Sequence, residues 1–168
     1  MAIKTSGIDH IHVNIPSMDK FRDVMKQLFD LDATRIAHVD GILAYNSSMR
    51  LNGADAGQPF LDVFEPARPQ SPVAEFMRQH REGVSYISFR VDDLDEAATH
   101  AARCGLREVS RMGFPGIMKQ VQYDTMEVLG FHLELVEYAP DAEAGIKEIQ
   151  RRLTAGEPVA GLSNSRPF

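Results

Sequence analysis

Two histidines separated by one residue, His10 and His12, stand in the stretch DHIHVNIP near the start of the chain. Two carboxylates, Asp62 and Glu134, stand inside otherwise apolar stretches, FLDVFEP and HLELVEY. Imidazole nitrogens and carboxylate oxygens suit a divalent metal ion when several of them converge in one cup. Tyr86 and His132 add a phenol and a third imidazole, groups that can give or take a proton. All these residues are scattered along the chain, so their chemistry depends on the elements that carry them. No compact motif competes: HExxH, paired CxxC, a P-loop and GxSxG are absent.

The elements come in two copies. Asp9–Pro16 (DHIHVNIP) and Ser85–Asp92 (SYISFRVD) alternate with period two and read as strands. Ser17 caps a predicted helix MDKFRDVMKQLF, with Met18, Phe21, Met25 and Leu28 as its apolar stripe. Asp92 or Asp93 caps a second, LDEAATHAARCG, with Leu94, Ala97, Ala98 and Ala101 as its stripe and Gly105 as its stop. Phe60–Pro66 then matches His132–Tyr138, with Asp62 against Glu134 and Glu65 against Glu137. Each copy holds two further strands, Thr34–Val39 and Ile42–Ser47 in the first, Arg107–Met112 and Met118–Tyr123 in the second. Asp40-Gly41 is a hairpin turn signal. The predicted fold is therefore α+β: two tandem βαβββ modules, at 7–66 and 83–139, forming a curved mixed sheet with a shared cleft. A linker helix over 71–82 starts at Ser71-Pro72. Beyond this paired-module domain (1–139), residues 140–168 form a C-terminal helix and then a tail, or an arm laid on a neighbouring subunit.

Strand alternation decides which side chains meet. His10, His12 and Asn14 share a face opposite Ile11, Val13 and Ile15. Tyr86, Ser88 and Arg90 share the corresponding face of the second module. Asp62 lies with Phe60 and Phe64, and Glu134 with His132 and Val136, while Glu65 and Glu137 fall on the other face. Repeat symmetry and parity together nominate His10, Asp62, Tyr86 and Glu134 as one constellation.

Composition narrows the function classes. The 168 residues are 43% apolar and 25% charged, with a net charge of −6. The densest basic stretch, Lys147–Arg152, is interrupted by Glu148, so a nucleic-acid partner is not expected. No apolar run reaches the roughly 20 residues of a membrane span. The N-terminus runs straight into a strand pattern, which predicts no signal peptide and a cytoplasmic protein. The single cysteine, Cys104, reads as a small packed side chain late in a helix.

The segments IDHIHV, GVSYISFRVDDLDEA, YDTMEVLGFHLELVE and DVFEPARPQSPVAEF resemble the vicinal oxygen chelate superfamily over roughly Ile8–Tyr138. That superfamily includes glyoxalase I, methylmalonyl-CoA epimerase, extradiol dioxygenases and bleomycin-resistance binding proteins; the likeness is to its epimerase-like or glyoxalase-like branch. The resemblance implies a small-molecule substrate, a homodimer and a divalent ion (Co, Ni, Zn, Mn or Fe), or no ion in a binding protein. His10 matches the first histidine ligand and Glu134 the final glutamate. Asp62 falls where Glu or Gln is usual, and Tyr86 where the second histidine is usual. The expected ligands are then His10, Asp62 and Glu134, with His12 or His132 able to complete a rearranged set. Tyr86, Glu134 and His38 are the expected catalytic groups, His38 because it falls roughly where the epimerase branch has an acid–base glutamate. His12, His132, Phe60 and Ser88 are the expected substrate contacts.

Three functions follow as expectations. The first is a metal-assisted isomerase, epimerase or lyase acting on a carbonyl compound through an enolate. Ring cleavage by iron is a second, if His12 or His132 replaces the missing histidine. A metal-free binding protein is the third. The lack of a basic cluster argues against coenzyme A phosphates as part of the ligand.

Overall fold

The computed structural model describes residues 2–31, 33–34, 36–50 and 58–164. The first module contains β1 (Thr5–Asn14), α1 (Met18–Phe29), β2 (Ala37–Val39), β3 (Ala44–Arg50) and β4 (Phe60–Pro66). After α2 (Pro72–His80) the second repeats the pattern. It contains β5 (Gly83–Val91), α3 (Leu94–Arg103), β6 (Glu108–Phe114), β7 (Met118–Tyr123), α4 (Met126–Leu129) and β8 (His132–Tyr138). α5 (Ala142–Ala155) and β9 (Leu162–Asn164) follow. No helix among the described residues is long and apolar enough to cross a membrane.

The nine strands among the described residues join one curled sheet in the order β6-β7-β8-β5-β1-β4-β3-β2-β9. The seam is the antiparallel pair β1·β5, and each side of it is the same: β1 pairs β4 in parallel, and β5 pairs β8 in parallel. This places His10 opposite Ser88, and Ser88 opposite Glu134. It also places His12 opposite both Tyr86 and Asp62.

The convex face carries α1 and α3, and the two modules cap these helices by the same device. The first N–H of α1, on Met18, donates to Glu65 Oε2 at 2.6 Å. The first N–H of α3, on Leu94, donates to Glu137 Oε2 at 2.7 Å. A carboxylate at a helix N-terminus satisfies an orphan donor and favours the dipole. Ser17 and Asp93 complete the caps, accepting from the amides of Lys20 and Glu96. The two helices are not equally buried. Leu94, Ala97, Ala98 and Ala101 all pack into a core with Val91, Val121, Tyr123 and Leu135. In α1 only Met18 is buried; Leu28, expected on the apolar stripe, is 66% exposed, and Phe29 is exposed beside it.

Three local expectations shift. Asp40–Ile42 forms one turn of 3-10 helix rather than a two-residue hairpin, ending on Leu43 with φ 50°, so β3 starts at Ala44. The second strand shortens to Ala37–Val39. Within the described part of the C-terminal segment, β9 pairs antiparallel with β2 as the sheet's edge strand, and the Ser163 hydroxyl donates to Asp40.

Candidate metal centre

The concave face gathers His10, His12 and Glu134 from β1 and β8. One ligand atom from each lies within 4.8 Å of the others, the one such convergence of His, Cys, Asp or Glu among the described residues. His10 Nε2 is 2.7 Å from His12 Nε2 and 3.2 Å from Glu134 Oε1; His12 Nε2 is 3.5 Å from the same oxygen. All three residues are buried, Glu134 completely.

Two of the three residues, His10 and Glu134, are held from behind. His10 Nδ1 is 2.7 Å from Asp9 Oδ2, so in the neutral ring the proton sits on Nδ1 and the Nε2 lone pair faces the centre. A carboxylate behind a histidine is the usual support of a metal ligand. Asp9 is fixed in turn by Arg90 and by the Tyr138 hydroxyl, which donates to Oδ2 at 2.9 Å. Glu134 Oε2 accepts from Gln120 Nε2 at 2.9 Å and Gln122 Nε2 at 2.7 Å, two positions of one face of β7. Its Oε1 is buried with no hydrogen bond of acceptable geometry, and the same holds for Ser88 Oγ between His10 and Glu134. Buried polar atoms are rarely left so. Two imidazole nitrogens and an unsatisfied carboxylate oxygen, all converging, fit a divalent cation.

Electrostatics without an ion points the same way. Burial disfavours the His10 imidazolium, but the hydrogen bond to Asp9 and the nearby carboxylates of Glu134 and Asp62 outweigh it and push its pKa up to about 10. Burial likewise disfavours the Glu134 carboxylate, yet His12 and His10 hold it well below the usual carboxylate range. The protonated His10 thus occupies the position of the positive charge that an ion would supply.

Asp62, expected as a ligand, is not among the three converging residues. Its Oδ1 accepts from Asn46 Nδ2 at 2.8 Å and Ser48 Oγ at 2.9 Å, and it lies half-buried beside His12. His12 supplies the third converging atom instead. Tyr86 stands next to His12, ring centroids 5.3 Å apart, and next to His132 at 5.1 Å. Burial, with Glu134 and Asp124 nearby, pushes the Tyr86 phenol up, so it is neutral at physiological pH. His132 is pushed down by burial, and its Nδ1 is buried without a hydrogen bond, 3.7 Å from Asp124. Phe60 stacks on His10 at 4.9 Å, and Phe64 on His12 at 5.2 Å.

His38 is not brought to this cleft. It pairs with Tyr45, whose own partner is Glu65, so it faces the helices, and its Nδ1 is 2.7 Å from Asp40. Its expected place rests on an alignment across a loop rather than on strand parity, and parity is the stronger constraint. Sequence parity misplaces Asp9 for a related reason. By alternation Asp9 belongs to the opposite face from His10, but β1 has a register shift between Ile8 and His10 that turns Asp9 into the cleft.

The profile of the Glyoxalase/Bleomycin resistance protein/Dioxygenase superfamily matches residues 9–122. No curated protein matches the chain in sequence. Among solved structures, methylmalonyl-CoA epimerase from Mycobacterium tuberculosis superposes with a TM-score of 0.71 at 19% identity, covering 86% of this chain and 95% of that one. A variant methylmalonyl-CoA epimerase from Streptomyces coelicolor, in complex with 2-nitronate-propionyl-CoA, gives 0.69 at 20%, covering 80% and 98%. A hypothetical protein from Bacillus halodurans gives 0.67 at 16%, covering 77% and 92%. At such identities the likeness is one of fold. With two-thirds of its length matched by the profile and its doubled module closing on a metal-competent cleft, the chain belongs to the glyoxalase/bleomycin resistance/dioxygenase superfamily.

Proposed function

We propose that the protein is a divalent-metal enzyme that acts on a small carbonyl compound through an enolate, as an isomerase, epimerase or lyase. The observation that carries this reading is the convergence of His10, His12 and Glu134 with a buried, unsatisfied carboxylate oxygen at its centre. These three residues would hold Co, Ni, Zn, Mn or Fe, which when bound polarises a carbonyl and lowers the cost of removing the α-proton. The remaining work falls to the chain. Tyr86, a neutral phenol beside His12, donates a hydrogen bond to the substrate oxygen as negative charge develops there. His132, whose pKa burial pushes down and which stands beside Tyr86, accepts the α-proton. Glu134 is engaged by four neighbouring side chains and held ionised, which suits a ligand and not a proton carrier. Asp62 faces the same cleft and can orient water or substrate. A homodimer in the cytoplasm is proposed with it; the exposed Leu28 and Phe29 of α1 offer apolar surface for a partner copy.

The test combines elemental analysis of the gently purified protein with solvent-deuterium exchange at the α-carbon of methylmalonyl-CoA and of simple 2-oxoacids. One ion per chain and exchange that disappears in His10→Ala and slows in Tyr86→Phe are expected. A protein that holds no divalent ion, and whose His10→Ala variant binds ligands unchanged, is a binding protein instead.

A second reading is favoured by one observation. Two histidines and one carboxylate are the donor set of ferrous oxygenases, and His12 completes that set despite Tyr86. Oxygen uptake with catechols by the iron-loaded protein, without exchange at any α-carbon, would select ring cleavage.

A further inference from the structure

A groove of about 310 Å³ lies between the concave face and α5, with Arg50, Phe60, Arg90, Tyr138, Ile146 and Lys147 along its walls. It adjoins the metal centre through two contacts. Phe60 stacks on His10, and Arg90 and Tyr138 both bond the Asp9 carboxylate that fixes His10. α5 closes the other side at short range: a Cβ on Gly145 would come within 2.6 Å of Ile117. The helix is therefore seated on the β6–β7 turn and forms a fixed wall.

The groove assembles cations that are far apart in sequence. Arg90 is paired with Asp9, and Lys147 is 2.6 Å from Glu143, the groove's own carboxylate. Arg50 has no carboxylate partner among the described residues; its guanidinium lies over the Phe60 ring, 5.0 Å from the centroid. Arg90 lies likewise over Tyr138, at 4.9 Å. Of the three cations, Arg50 is the one without a carboxylate partner among the described residues. A guanidinium flat on a ring keeps its edge donors free for a carboxylate or phosphate. The rest of the wall, Phe60, Tyr138 and Ile146, is apolar or aromatic. The volume is at the small end of ligand sites.

We propose that this groove is a binding subsite for the anionic end of a small ligand with a flat apolar body, Arg50 supplying the counter-charge to its carboxylate or phosphate. This deepens the proposed function, and rests on it, by naming the substrate class as an anionic carbonyl compound. The apolar body lies against Phe60 and Ile146, which directs the rest of the molecule towards His10. No basic cluster stands along the sequence; the fold makes one from β3, β5 and α5.

The experiment uses benzoate, benzamide and phenyl phosphate as probes, titrated into the metal-stripped protein and followed by the NMR signals of the Arg50 side chain and the Ile146 amide. Benzoate or phenyl phosphate is expected to shift both signals saturably, with the tighter of the two naming carboxylate or phosphate. Benzamide, of the same shape without the charge, should bind about tenfold more weakly, the effect of one charged hydrogen bond. R50Q should lose that preference with the remaining spectrum unchanged, and R50K should keep part of it. Equal binding of benzoate and benzamide, no response to either anion, or an unaltered preference in R50Q overturns the proposal. The ion is absent throughout, so the outcome is independent of the enzyme reading. A groove that binds benzoate in a protein that takes up no metal sustains the subsite and removes the enzyme; metal uptake with a silent groove does the reverse.

Discussion

Asp62 and Glu134 occupy the same place in the two modules, and they have diverged. Each sits at the centre of its module's parallel pair, and each takes two donors from the adjacent strand: Asn46 and Ser48 on β3, Gln120 and Gln122 on β7. The donors are themselves equivalent by register, since Ser48 faces Asp62 and Gln122 faces Glu134. The difference lies in what each carboxylate has left to offer. Both of Asp62's donors go to Oδ1 on a shorter, half-buried side chain. Glu134's donors hold Oε2, and its fully buried Oε1 is aimed at His10 and His12. The symmetric scaffold thus positions two acids, and one methylene together with burial makes only one of them part of a converging set.

The strongest test of that comparison is metal affinity. Glu134→Gln should weaken binding by about a hundredfold or more, while Asp62→Asn should change it by less than about tenfold, measured by competition with a chromogenic chelator. Equal losses would mean that both acids ligate and that the modules are functionally symmetric. In wild type, affinity should also rise with pH. An ion must displace the proton that Asp9, Glu134 and Asp62 stabilise on His10, whose pKa lies at about 10 in the ion-free protein. The sign for stability is opposite. A pKa raised above the ordinary 6.5 stabilises the ion-free fold fully below that value, and the gain is lost as pH climbs to about 10. Chemical denaturation of stripped protein across that window, with and without His10→Asn, measures it.

The helices extend the comparison to packing. Leu94→Ala in α3 should cost about 2–5 kcal/mol, because the side chain is wholly buried in the second module's core. Leu28→Ala in α1 should stay within about 0.5 kcal/mol in the isolated chain, since that side chain is exposed. A large loss at Leu28 in dilute urea melts would show that α1 is covered by another copy in solution.

Much of this was legible in the sequence because strands with period two and a fold with internal repetition constrain each other. His10, Asp62, Tyr86 and Glu134 are all placed on the concave face by parity alone. Gln120 and Gln122 could have been read the same way, as two polar residues on one face of a strand beside Glu134. Asp9 could not, because a bulge moves it to the other face and nothing local marks the bulge. Parity and resemblance make His12 a substrate contact and a reserve ligand. Its place in the converging set depends on side-chain reach across β1, β5 and β8, which alternation does not contain. The Arg50–Arg90–Lys147 cluster was hidden because its members come from three segments that only the seating of α5 brings together.

The donors behind the two acids give a smaller contrast. Gln122→Leu removes the shorter of the bonds to Glu134 and leaves Oε2 half-satisfied, so metal affinity should fall about tenfold. Ser48→Ala removes an equivalent bond from Asp62 and should leave affinity within about threefold. Both variants should keep wild-type melting behaviour to within about 1.5 kcal/mol, which separates a lost support from a damaged sheet.

The smallest expected effect is also the sharpest question, because it restores the symmetry. Asp62→Glu gives the first module the same side chain as the second, one methylene longer and opposite His12. If reach alone separates the two acids, the longer carboxylate adds a fourth ligand and tightens metal binding several-fold. If the donors decide, Asn46 and Ser48 continue to hold the first oxygen, and affinity stays within about twofold. The second outcome is expected. Asn46 and Ser48 draw the carboxylate towards β3, away from the β1–β8 side where the ligand atoms meet. A several-fold gain in Asp62→Glu would place the difference between the modules in chain length rather than in the strand beside it.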